Sequence, residues 1–158
     1  MRKENGFTLN ELMVVLAIVV VTLSIAVPNF ISYLPKRRLQ QAAGEVQSLV
    51  RLAQLTAVKE GADVVVSFSP ADDACTAFLD NGAGAGTAGN GLVDGDEKTV
   101  HNKNLPPGID LYDASFSGNQ FRFNSRGLAS GSGNVTLRNK YNESKIVEVN
   151  IIGASRIQ

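Results

Sequence analysis

The sequence predicts an α+β chain: one long N-terminal helix, membrane-spanning in its first half and amphipathic in its second, packed on an antiparallel β-sheet. Three observations predict it. Residues 6–28 read GFTLNELMVVLAIVVVTLSIAVP, an apolar run of the length that crosses a bilayer. Beyond it Leu39, Ala42, Ala43, Val46, Leu49, Val50, Ala53 and Ala57 recur every three or four residues, one apolar stripe on a helix. From Asp63 the period drops to two, and β-branched runs alternate with Gly, Pro and Asn turns. The 158 residues thus divide into a leader (1–6), an anchor helix (7–28), an amphipathic helix (29–61) and a β-rich domain (62–158).

The leader carries Arg2 and Lys3, which hold this end in the cytoplasm and put the remainder across the membrane. An ordinary secretory signal has a small-residue cleavage pattern after its apolar run; here Val27, Pro28, Asn29 and Phe30 continue the run instead. Glu11 is the anomaly. A carboxylate at membrane depth costs roughly 2.5–3.5 kcal/mol and is rarely left without a role. At the interface it would cost little and do little. Deeper, it needs a cation, and a free α-amine on Phe7, released by a cut after Gly6, is one. That amine lies about one turn from Glu11 in its own helix, and on a shifted neighbour the two would neutralise each other.

In the second helical half, Pro28 and Pro35 each remove a backbone donor and should bend the helix. A helix from Phe7 to Glu60 would be roughly 80 Å long. Gly61 is its stop. The pair Arg37-Arg38 suits lipid headgroups or a neighbour's acids, against the plainer reading of a solvated helix face. Strands are expected at 62–69, 75–79, 99–102, 109–112, 120–124, 134–138 and 145–152, with a short last one at 155–157. The stretch 81–91, NGAGAGTAGNG, has almost nothing apolar to bury and reads as a flexible loop.

Composition excludes several functions. The formal net charge is zero, which points to neither nucleic acid nor an acidic partner. One cysteine, Cys75, rules out an internal disulfide and a multi-cysteine metal site. Asp80, Asp94, Asp96 and Glu97 are hard oxygen ligands suited to calcium, but their spacing lacks the calcium-loop signature, and a solvated acidic turn is the plainer reading. The only histidine is His101; with no nucleophile elbow, phosphate loop or paired-histidine zinc motif, the chain reads as a non-enzyme with no cofactor. Arg126, Arg138 and Arg156 give the last third some basic character, yet Glu143 and Glu148 interleave, and phosphate binding needs clustered cations.

At Gly6-Phe7-Thr8-Leu9-Asn10-Glu11-Leu12 the chain resembles the class III signal sequence of type IV pilins and type II secretion pseudopilins. That pattern has Gly before the cut, Phe first in the mature chain and Glu fifth; Pro28 falls where those proteins carry a helix-bending proline, while Asn10 departs from the usual apolar residue. Later, Phe78-Leu79-Asp80 leading to Asn90-Gly91 and Asp94-Gly95-Asp96-Glu97, and then Phe121-Arg122-Phe123-Asn124-Ser125-Arg126-Gly127 before Val135-Thr136-Leu137, is similar to GspH/FimT-type minor pilins and pseudopilins. Gly153 lacks the Arg that follows directly in that branch's C-terminal motif. The resemblance implies the pilin fold, cleavage by prepilin peptidase after Gly6, N-methylation of Phe7, and packing of the helix into a filament core. It implies other pilin or pseudopilin subunits, the inner-membrane assembly platform and membrane lipid as partners, and an inner-membrane precursor whose domain is periplasmic. Many major pilins close a C-terminal loop with a disulfide; this chain cannot, which suits a minor, tip-located subunit. Two rival expectations stand beside it: a DNA-binding minor pilin in DNA uptake, and a single-span membrane-anchored binding module that keeps its leader.

Overall fold

The computed structural model describes residues 8–158; Gly6 and Phe7, the expected cut site and mature N-terminus, lie outside the described residues. One helix, α1 (Leu9–Glu60), leads into eight strands. The chain divides after Pro35 into two compact units.

The first unit is the apolar half of α1. Its most apolar 18-residue window has a mean hydropathy of 2.6, long and apolar enough to cross a membrane. Leu12, Met13, Val14, Leu16, Ile18 and Val20 are all half exposed or more, so this surface has no cover within the described residues. The hydroxyls that interrupt it are satisfied locally: Thr22 donates to the Ile18 carbonyl, Ser24 to Val21 and Ser32 to Asn29. A hydroxyl bonded one turn back costs little in hydrocarbon. The helix continues through Pro28 and Pro35, although each lacks the N–H that would bond four residues back.

The second unit begins at Lys36. The stripe read from the sequence, Leu39 to Ala57, is buried throughout. Four of its eight members are alanine, which lets the helix approach the sheets closely. Gly61, at φ +65°, ends α1 in the left-handed conformation that a C-terminal cap requires. The strands are β1 (Val64–Ser69), β2 (Ala74–Leu79), β3 (Thr99–Asn104), β4 (Ile109–Ala114), β5 (Gln120–Phe123), β6 (Gly133–Asn139), β7 (Ser144–Val149) and β8 (Ser155–Ile157).

The strands make two antiparallel sheets, not the one expected: β3-β2-β1-β5 and β4-β6-β7-β8. In the first, β1 is central, with Val64 opposite both Leu79 and Phe123. Phe68 of β1, Phe116 and Phe121 of β5 form a ring cluster, with Phe116 and Phe121 4.6 Å apart. A Cβ on Gly133 of β6 would lie 2.6 Å from the Phe116 ring. The aromatic cluster therefore reaches from the first sheet onto the second.

β7 ends at Val149 and not at Ile152. The Asn150 side chain accepts the Ala154 amide and its carbonyl accepts that of Gly153 (φ +80°), forming a turn. Ile151 and Ile152 are thereby left exposed. Gln54 of α1 locks this turn, its Nε2 donating to the carbonyls of Gly127 and Ile152. Cys75 is buried, and burial pushes its thiol up to about 12, so it stays an inert apolar side chain.

Candidate functional site

The start of α1 is built around Glu11. Thr8 precedes the helix, and the Glu11 carboxylate accepts both its backbone N–H (2.9 Å) and its hydroxyl (2.8 Å), while the Glu11 amide reaches back to the Thr8 hydroxyl (3.3 Å). This is a capping box, Thr-x-x-Glu, in which the side chains satisfy helix-start amides that have no partner within the helix. Thr8 was missed in the sequence, although the four-residue spacing announces it. Both carboxylate bonds fall on Oε2, so among the described residues Oε1 has no donor. Glu11 can hold its own helix start through Oε2 and accept a cation at Oε1 at the same time.

The acidic loop between β2 and β3 is not a solvated turn. Asp80 is only 2% exposed and Glu97 8% exposed. Asp80 accepts the amides of Gly89 and Gly91 (2.8 Å for the latter), and Glu97 accepts those of Gly82 (2.8 Å) and Asp94 (3.3 Å). Asp94 in turn accepts from Thr87 and Asn90. Gly89 and Gly91 sit at φ +79° and +73°, a backbone that only glycine adopts freely, and one that lets both amides converge on one carboxylate. The stretch expected to float is organised because backbone N–H groups, rather than apolar side chains, supply what it buries. The same bonds occupy the calcium candidates. Among the described residues no three such groups converge to hold a metal ion, and Asp96 is exposed.

Asp80→Ala should therefore open the loop. A hydrogen bond to a charged group is worth about 1.5–3 kcal/mol, so exchange of the Gly89 and Gly91 amides should accelerate by roughly an order of magnitude or more. Hydrogen exchange of the purified chain would read this directly, and unchanged exchange would remove Asp80 as the organiser.

The three arginines are not brought together. Arg138 of β6 stacks 3.5 Å over the Tyr112 ring and lies opposite Asp110. Arg156 of β8 lies opposite Glu148. In the sheet the two are four residues along and two strands across, about 16 Å apart. Arg126 sits in the turn after β5, where its amide bonds Asn124. Each of the two sheet arginines has a carboxylate opposite it, so no continuous cationic stripe forms. Arg38 is not purely solvated, since its guanidinium reaches the Pro107 carbonyl (3.4 Å). Lys36 pairs with Glu143 (3.0 Å), and the Asn139 amide and this lysine hold the Glu143 carboxyl below its usual range. His101 stands exposed on β3.

Comparison with known proteins places this architecture. Residues 1–27 match the prokaryotic N-terminal methylation motif. Residues 42–153, about seven-tenths of the chain, match the model of the type II transport protein GspH. The chain belongs to the GspH family. The fold of this GspH-family chain is that of the minor pseudopilin EpsH from the type 2 secretion system of Vibrio cholerae, at a TM-score of 0.58 and 16% identity over 77% of this chain and 96% of EpsH. It is also that of the type IV minor pilin FimU of Pseudomonas aeruginosa, at 0.60 and 11% identity over 78% of this chain and 90% of FimU. Two fimbrial proteins of Pseudomonas aeruginosa are 38% identical over 72 residues, which span 46% of this chain and 46% of theirs. This GspH-family chain thus joins a methylation motif and an apolar helix suited to membrane anchoring to the fold seen in EpsH and FimU.

Proposed function

We propose that this chain is a minor structural subunit, cut after Gly6 by prepilin peptidase, methylated on Phe7, and assembled through α1 into a type IV pilus or a type II secretion pseudopilus. The observation that carries the reading is the uncovered apolar half of α1 with one carboxylate, Glu11, at its start and Oε1 of that carboxylate open. Exposed at this density, such a surface is stable only in lipid or against other helices. The precursor lies in the inner membrane with its N-terminus cytoplasmic, the arrangement that Arg2 and Lys3 favour. After the cut, the Phe7 amine of one subunit meets Glu11 of its neighbour as the helix leaves lipid for the filament core at the assembly platform. Pro28, which leaves the Ser24 carbonyl without its helical donor, gives the helix a point at which to bend during that packing.

Intact mass of the protein from its native membrane or sheared surface fraction tests this. The expected mass lacks residues 1–6 and carries one added methyl. Gly6→Val should leave the leader attached, because the peptidase needs a very small residue there. An uncut wild-type chain would eliminate the filament mechanism and favour a membrane-anchored binding module.

A further inference from the structure

Four strand edges bound the two sheets; one is covered by a folded-back segment and two carry a side-chain bond on their outer side. At β4, Asp73 Oδ1 accepts the Leu111 amide (2.8 Å). At β5, residues 128–130 fold back, pairing Ala129 with Phe123 and bonding Asn124 and Arg122. At β8, Gln47 of α1 donates to the Ser155 carbonyl (2.8 Å). β3 is open. It ends the order of its sheet, and no hydrogen bond among the described residues reaches its outer side. The Leu105 amide bonds the Asp73 carbonyl (2.8 Å), so by alternation the amides of Lys103 and His101 face β2 and those of Asn102 and Asn104 face outward.

Beside this edge runs a groove of about 380 Å³, with His101 and Lys103 on one wall and Gln41, Gly44, Glu45 and Leu52 of α1 among those on the other. A Cβ on Gly44 would touch nothing, so the α1 wall is recessed there. Glu45 Oε2 is buried without a hydrogen bond, 3.8 Å from Lys103 Nζ.

We propose that β3 receives an extended, acidic strand from a different protein chain, which becomes the fifth strand of the first sheet. Backbone pairing to Asn102 and Asn104 supplies the attachment, and alternate side chains of the added strand enter the groove. Charge selects the occupant. His101 and Lys103 lie on β3 and Lys98 directly precedes it, and Lys98 is exposed with no ion pair among the described residues. Two copies of β3 would set these lysines against each other, which opposes self-pairing. A carboxylate on the added strand relieves them. Glu45, the acid across the groove, already faces Lys103, so the incoming carboxylate meets Lys98 and His101. The inference rests on edge geometry and holds whether or not the leader is cut.

The full chain in detergent micelles, titrated with a peptide of about ten residues alternating threonine and glutamate, tests it. The readouts are anisotropy of the labelled peptide and hydrogen exchange of β3. Saturable binding with slowed exchange at Asn102 and Asn104 is expected, and the matching threonine–lysine peptide should bind about tenfold more weakly. Asn102→Pro deletes one outward amide and spares the β2 ladder, a place where an edge strand tolerates proline; it should weaken binding about tenfold. The double variant K98E/K103E leaves the backbone intact and should reverse the preference between the peptides. Absence of saturable binding would overturn the proposal, as would a folded Asn102→Pro chain that binds equally or peptides that bind alike. Self-association lost on Asn102→Pro would do so too, by making the occupant a second copy.

Discussion

Glu11→Ala should leave processing largely intact and remove the subunit from the assembled filament. Two effects are merged in that variant, and the capping box separates them. Alanine deletes the bonds to Thr8 as well as the charge. Loss of a helix cap costs about 0.5–2 kcal/mol. Leaving a neighbour's ammonium buried without its partner costs about 3–5 kcal/mol, which corresponds to a fall in incorporation of two orders of magnitude or more. Glu11→Gln decides between them, because glutamine at this position of a capping box still accepts from the helix-start amide but carries no charge. The expectation is that Glu11→Gln fails to incorporate as completely as Glu11→Ala. Thr8→Val, which removes the hydroxyl bond and keeps the charge, should incorporate within several-fold of wild type. Quantifying each variant in sheared filaments against its processed pool in the membrane gives the comparison. A glutamine variant that assembles normally would reduce Glu11 to a helix cap.

How far the sequence can be read depends on where each element finds its partners. The α1 stripe from Leu39 to Ala57 is legible because it repeats with the helix and needs only one apolar face to bury. Strands such as Val64–Ser69 are legible from composition and alternation for the same local reason. Their division into two sheets is not, since β1 pairs with β5 across three intervening strands, and nothing local to either strand names its partner. The end of β7 was misplaced because Ile151 and Ile152 continue the apolar run, while the Asn150 side chain and Gly153 divert the backbone into a turn. The loop around Asp80 and Glu97 was misread for a related reason. Its partners are backbone amides, which every residue type offers, so low complexity concealed a folded segment. At the anchor the reverse holds. The carboxylate inside an apolar run is conspicuous by its energy alone, whereas its second role, as partner of Thr8 in a capping box, passed unread although the Thr-x-x-Glu spacing carries it.

Phe121→Ala should be the most destabilising single change among the aromatic residues of the folded domain. Phe121 is 4% exposed, and its ring lies 4.6 Å from Phe116, 5.2 Å from Phe123 and 6.2 Å from Phe68. Truncating a buried phenylalanine costs about 3–5 kcal/mol through lost burial and the cavity left behind, and each aromatic pair adds about 0.5–1.5 kcal/mol beyond its area. The cavity cannot close easily. Phe123 is wholly buried, and Phe116 is already pressed against Gly133, where even a methyl would collide with it. For a domain of this size the melting midpoint should fall by about 10 °C, read by circular dichroism of the sheet signal while the anchor helix stays folded in detergent. Phe121→Leu keeps most of the volume and should cost less than about 2 kcal/mol. The consequence reaches beyond stability, because Phe68, Phe116 and Phe121 join β1 and β5 to the Gly133 end of β6. Loosening that joint should raise exchange in β5 and β6 before it reaches β2 and β3, whose contacts lie on the far side of β1. A loss of only about 1 kcal/mol, or exchange rising first in β3, would show that the helix stripe and not the aromatic cluster holds the two sheets together.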